Sequence, residues 1–231
     1  MEGFHYIDLF ATKGTEYLLV IGFLLVLIIY WRFLNSPARA TRAAAMKMPA
    51  GILAEWFDLA KNFYYHPGHT WALPEGDNLV KVGMDDFAAK LLGKADAFHL
   101  PAVGTHVEQG DAGWKIRFNS KEIELLSPVN GEVVAVNKNA LDSPELAEQD
   151  PYNRGWLLKV KAPKMNSNLK NLLTGKLAVA WMENTVQTLR QRMAGDLGVI
   201  MQDGGLPISG FAKELAPEKW DEIAAEFFLT K

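Results

Sequence analysis

Tyr17 to Leu34, YLLVIGFLLVLIIYWRFL, carries no charge before Arg32, and no other feature limits the folding of this chain more. Its apolar stretch is close to the roughly 20 residues that cross a bilayer as a helix. Tyr17, Tyr30 and Trp31 stand at its ends, where amphipathic rings favour the headgroup zone. A signal peptide is the competing reading. It would have a shorter apolar core, basic residues before it and a small-residue cleavage site after it. Here Glu2, Asp8 and Glu16 precede the run against Lys13, and Arg32, Arg39, Arg42 and Lys47 follow it with no acid among them. The positive-inside rule then predicts an uncleaved single-pass anchor over 16–34. The N-terminal segment 1–15 lies outside and the bulk of the protein on the cytoplasmic side of an inner membrane.

The remainder of the 231 residues leaves room for one sizeable core plus an accessory segment. Net charge is −3, which gives no global electrostatic case for nucleic acid. The chain has no cysteine, which removes thiol catalysis, Cys-ligated zinc, iron–sulfur clusters and disulfides.

Residues 35–63 read as a basic juxtamembrane linker followed by an amphipathic helix. Ala45-Met46-Lys47-Met48 matches the tetrapeptide around the modified lysine of biotinyl domains. That lysine belongs on a hairpin, whereas this one follows an Ala- and Arg-rich run of helical propensity, so a membrane-surface linker is the reading adopted. Leu53, Trp56, Phe57, Ala60 and Phe63 or Tyr64 then recur at helical spacing.

From Tyr64 to Ala162 the texture changes to short apolar runs broken by Gly, Pro, Asn and Asp, which predicts a small β-rich domain. Asp77-Asn78 is turn chemistry before the strand Leu79–Gly83. Asp85 to Leu92 predicts a short helix capped by Asp85 or Asp86 and stopped by Gly93. Trp114, Ile116 and Phe118 alternate inward with Lys115 and Arg117 outward. Asn119-Ser120 makes a tight turn, and Ile123 and Leu125 resume the inward face.

Several motifs in this region, in order, resemble the glycine cleavage system H protein family. They are His69-Thr70-Trp71, Val82-Gly83-Met84-Asp85-Asp86-Phe87-Ala88 with Leu92-Gly93, and Leu100-Pro101-Ala102-Val103-Gly104 with Gly110-Asp111. Ser127-Pro128-Val129-Asn130-Gly131-Glu132-Val133-Val134, Asn137, Ser143-Pro144-Glu145-Leu146, Asp150-Pro151-Tyr152 and Gly155-Trp156-Leu157 continue the series. The resemblance implies a lipoyl-domain-like flattened barrel of two small sheets. It also implies a lipoylated lysine at a hairpin tip, whose arm carries an aminomethyl group between partner enzymes. With the anchor and a helical C-terminal extension, the chain as a whole is expected to be α+β.

In that family the modified lysine precedes the proline of the S-P-V-x-G turn by eight residues and follows a Glu-Ser pair. Counting back from Pro128 without a gap gives Ser120, with Arg117 and Phe118 in place of the pair. A serine hydroxyl cannot form the stable amide that a lysine amine forms with lipoate. Lys121 serves only if the tip slides by one residue, which sends Ile123 and Leu125 to the solvent face. Burying each is worth roughly 1.5–3 kcal/mol, so the ungapped register is expected, with no cofactor. Lipoate on Lys121 remains the alternative.

The other polar residues point to no chemistry. His66, His69, His99 and His106 have neither ligand spacing nor a completing carboxylate set, so no metal is expected. Ser120 and Lys121, as strand neighbours, point to opposite faces. Ser209 has no partner that the sequence names, and Asp203-Gly204-Gly205 is a turn without the pattern of a phosphate loop.

Residues 163–231 form the extension. Leu169, Leu172, Leu173, Leu177, Ala180 and Trp181 have helical spacing, continuing through Val186, Leu189 and Met193 with Gly175 as a break. Pro217 followed by Glu218 predicts a helix start. Trp220, Ile223, Ala224, Phe227 and Phe228 then form one apolar face, which is either core or a docking surface for another subunit.

Two functions follow. The first is a non-catalytic, membrane-anchored docking subunit of a membrane complex, for which a respiratory or electron-transfer assembly is the analogy. The second is a membrane-tethered carrier lipoylated at Lys121, passing a dithiol or aminomethyl group to partner enzymes. Expected partners are membrane-complex subunits and the bilayer, with no nucleic acid and no small-molecule substrate. An enzyme is a distant third, for want of nucleophile, metal set or cofactor loop.

Overall fold

The structure, a computed structural model, describes residues 9–34, 56–119, 121–192, 201–202 and 206–230. The chain divides into two units, Met1–Pro49 and Ala50–Lys231.

In the first unit, one helix α1 spans Leu9–Leu34. Its described side chains, those of 13–14, 16–28 and 30–31, are all exposed, Tyr17, Tyr30 and Trp31 among them. Over the residues so described, no helix is long and apolar enough to cross a membrane. That stretch of side chains is shorter than the 26-residue backbone helix. The side chain of Arg32 falls outside it.

The second unit is built on β-strands β1 (Tyr64–His66), β2 (Thr70–Gly76) and β3 (Leu79–Met84), helix α2 (Asp86–Leu92), and strands β4 (Ala97–His99), β5 (His106–Val107), β6 (Ala112–Phe118), β7 (Lys121–Leu126) and β8 (Gly131–Val136). Two short helices, α3 (Lys138–Asp142) and α4 (Leu146–Gln149), lead to β9 (Leu158–Lys161). Then come α5 (Met165–Lys170), α6 (Gly175–Arg192), β10 (Met201–Gln202), β11 (Leu206–Pro207), α7 (Phe211–Leu215) and α8 (Trp220–Phe227). A six-stranded antiparallel sheet has the order β1-β2-β3-β9-β8-β5, and a three-stranded sheet the order β4-β6-β7.

Local chemistry accounts for the joints. Asp77 and Asn78 both take positive φ in the two-residue turn between β2 and β3, which suits the right-handed twist of the paired strands. Asp85 caps α2, its Oδ1 accepting from Ala88 N at 2.8 Å, and Gly93 ends it at φ 71. Alternate residues of both sheets meet in one core: Val80, Val82, Met84, Val133, Leu158 and Val160 from one, Ile116, Phe118, Ile123 and Leu125 from the other. The inward alternation expected around the β6–β7 turn is therefore the one observed.

Three expectations about the helices are corrected. Residues 56–63 are turn and coil, not an amphipathic helix, because Trp56 and Phe57 are buried in the domain core. The segment is held there by Asp58 N donating to Asp86 Oδ2 at 2.8 Å and Lys90 Nζ donating to Trp56 O at 3.0 Å. Leu53 and the Ala45–Met48 tetrapeptide lie outside the described residues. In α6, Leu177 and Ala180 face solvent, and the buried stripe is Ala178, Met182, Thr185, Val186 and Leu189. Pro217 opens a turn, and α8 begins three residues later at Trp220.

Candidate functional site

The hairpin β6–β7 is where the sequence places the question of function. Phe118 pairs with Lys121, leaving two residues at the tip. Asn119 takes φ 51, a left-handed conformation that asparagine tolerates. Its N–H donates to Asp96 Oδ2 in a short contact, and Asp96 N donates to Arg117 O at 3.0 Å. Ser120 lies outside the described residues. Ile123 pairs with Ile116 and Leu125 with Trp114, and all four side chains are buried.

Lys121 is not a free tip lysine. Its ammonium donates to Asp221 Oδ1 at 2.6 Å and to Glu218 O at 2.8 Å, and lies 5.5 Å from the centre of the Trp220 ring. The hydrogen bond from Lys121 holds the Asp221 carboxyl below its usual range. Phe118 meets Trp220 edge-on at 5.4 Å and 84°. Lys213 sits 4.6 Å from the Phe118 ring and 5.3 Å from the Trp220 ring. The first turn of α8 and the end of α7 thus cover one side of the hairpin end. The amine nearest the turn among the described residues is thus paired with the extension.

Of the two readings of the α8 apolar face, core or docking surface, the packing gives core for Trp220 and Phe228. Trp220 is 6 % exposed and Phe228 fully buried, while Phe227 is half-buried 5.2 Å from Phe87. Phe228 reaches the β1–β2 turn, where a Cβ on Gly68 would come within 2.7 Å of Phe228 O. These aromatics are used up within the chain.

The histidines divide by environment. His69 is buried with Nδ1 2.8 Å from Asp85 Oδ2, stacked on Phe87 at 4.1 Å and beside Trp181 at 4.7 Å. Burial, and then the neighbouring His69, push His66 below its ordinary value, and its Nδ1 accepts from Gly68 N at 3.0 Å. His99 pairs with Glu122 at 3.1 Å, and His106 is exposed. No group of three or more metal-ligating side chains occurs among the described residues. Ser209 donates to Glu148.

Sequence reasoning missed two of these contacts. The His69–Asp85 pair was reachable, because a hairpin over 70–84 returns Asp85 to His69. The Lys121–Asp221 pair spans 100 positions and had no local signal.

Sheet order, the short helix after β3 and the hairpin before the Ser127-Pro128 turn define a lipoyl-domain-like fold of two sheets. The family model for the glycine cleavage H-protein matches residues 63–185, and the chain belongs to that family. It is 39 % identical over 118 residues to the glycine cleavage system H protein of Mycolicibacterium smegmatis, covering 50 % of this chain and 90 % of the relative. Against that of Thermus thermophilus the identity is 40 % over 116 residues, covering 50 % and 89 %. A crystal structure of a glycine cleavage system H protein from Mycobacterium marinum aligns at TM-score 0.48 and 27 % identity, over 55 % of this chain and 99 % of that one. A second family model, described only as "Protein", matches residues 9–38. H-proteins are non-catalytic lipoyl carrier subunits that work with partner proteins, and this chain is not an enzyme.

Proposed function

We propose that this chain is a membrane-anchored H-protein-like subunit that is not lipoylated and serves as a docking and structural module of a membrane complex. The observation that carries the reading is the pairing of Lys121 with Asp221 and Glu218, beside a sequence count from Pro128 that gives Ser120 where the family has its lysine. An arm-bearing lysine must swing between partners, and this one is tied to its own chain.

The anchor is supported by α1. Its 26 residues extend about 39 Å at 1.5 Å per residue, against a hydrocarbon core of about 30 Å. It is apolar on all sides from Tyr17 to Ile28, and side chains such as Leu18, Leu19, Phe23 and Leu25 are more than half exposed. A helix apolar all round requires either a protein interior or lipid. Arg32 and the basic linker favour a cytoplasmic domain. An electron-transfer assembly is the kind of complex to look for, by analogy with the redox chemistry of lipoate.

The second reading, a tethered carrier lipoylated at Lys121, is favoured by family membership and by an amine close to the turn whose side chain is 33 % exposed. Detergent-solubilised native membranes distinguish the anchor and partner claims. The chain is expected to resist alkaline carbonate extraction and to migrate on a native gel with other membrane subunits. Release by carbonate as a lone protein would contradict the proposal.

A further inference from the structure

We propose that the start of α6 and the segment 59–63 beside it form a surface that lies on an anionic lipid leaflet. This surface is additional to the docking role and rests on the reading of α1 as an anchor, which keeps the domain near a bilayer.

Leu177 is 67 % exposed and Val179 48 %, both in the first turns of α6. Next to them runs a groove of about 580 Å³, whose walls include Leu59, Ala60, Phe63 and Ala178. Its two walls are tied together. Thr174 Oγ1 donates to Phe63 O at 3.1 Å, and Tyr65 and Leu173 exchange backbone hydrogen bonds at 2.8 Å. Single exposed apolar residues are ordinary, but several around one groove mark a contact surface.

The charges around the groove select the partner. Asn62, at φ 67, turns the segment where Lys61 is exposed, and Lys176 is exposed at the opening of α6. Neither lysine is in an ion pair among the described residues, and the first turn of α6 holds no acid. The carboxylate on the groove wall, Glu183, stands about two helical turns beyond Lys176. An apolar centre with lysines at one end matches a leaflet with anionic headgroups. Hydrocarbon takes Leu177, Val179 and the groove, while phosphates take the ammonium groups, whose long stems reach from one layer to the other.

The tether makes so small a surface sufficient. Residues 35–55 join this unit to α1, and at full extension they reach no more than about 75 Å. A bilayer held within that distance is present at high effective concentration, so contact persists that a freely diffusing domain would lose.

The chain has no cysteine, so a single introduced one carries a spin label at a chosen place. Full-length Leu177→Cys and Val103→Cys proteins are labelled and reconstituted in vesicles of phosphatidylcholine with phosphatidylglycerol. Val103, 60 % exposed before β5, is the reference. Collisions with a water-soluble nickel chelate are expected to be several-fold fewer at 177 than at 103. Adding Lys61→Glu and Lys176→Glu should remove most of that difference. Equal accessibility at the two positions would overturn the proposal. So would protection at 177 that the two glutamates leave unchanged. Protection in native membranes but not in the lipid vesicles would also overturn it, by assigning the surface to another protein. Failure of the anchor reading looks different: the unlabelled chain then fails to float with the vesicles after alkaline carbonate treatment.

Discussion

Lys121 and Asp221 show how little of a tertiary ion pair can be read locally. The lysine beside the turn was visible in the sequence, and so was the serine in its expected place, because both follow from counting along one hairpin. The carboxylate that holds the lysine comes from the far end of the chain, where Asp221 reads as an ordinary first-turn helix acid. The pair is about one-third exposed, so it contributes at most about 1 kcal/mol. Asp221 is held below its usual range. Such a carboxyl contributes its stability above the unfolded value near 3.9 and loses it as pH falls through the folded one. Asp221→Asn is therefore expected to lower the urea midpoint slightly at pH 7 and to leave it unchanged in strong acid. His66 has the opposite kind of group and the same direction. Its depressed folded value means that the unfolded chain binds the proton more readily below about pH 6.5. Stability should fall as pH drops through that window, and this loss should be absent in His66→Gln.

At the scale of elements, strands and turns were legible and one helix was not. The β2–β3 turn, the Asp85 cap, the Gly93 stop and the β6–β7 alternation all have local causes, and each was found where its residues predicted. Trp56, Phe57, Ala60 and Phe63 satisfied a helical spacing, yet these residues form an irregular strap. Tertiary burial overrode the period: Phe57 meets Phe87 at 4.9 Å, and Asp86, Lys90 and Tyr152 bind the strap's backbone. Phe57→Ala is expected to cost about 3 kcal/mol in chemical denaturation, the range for emptying a buried aromatic site. A loss under about 1 kcal/mol would place the strap outside the core. Trp220→Ala removes a ring that is nearly as buried and should cost a similar amount. It should also raise the reactivity of Lys121, a readout that simple destabilisation of a distant helix would not move.

For the molecule as a whole, the family of the central domain was readable because its motifs are short, collinear and set by turns. The extension was not, because it carries no motif and its role lies in what it covers. A helix of that extension is seated on Phe118 and Lys121 of the β6–β7 hairpin. The most direct test is the intact mass of the protein purified from its native, lipoate-replete membrane, with peptide mapping across Trp114 to Leu126. A docking subunit predicts an unmodified mass and an unmodified Lys121. A lipoyl adduct on Lys121 would contradict it and make the protein a tethered carrier.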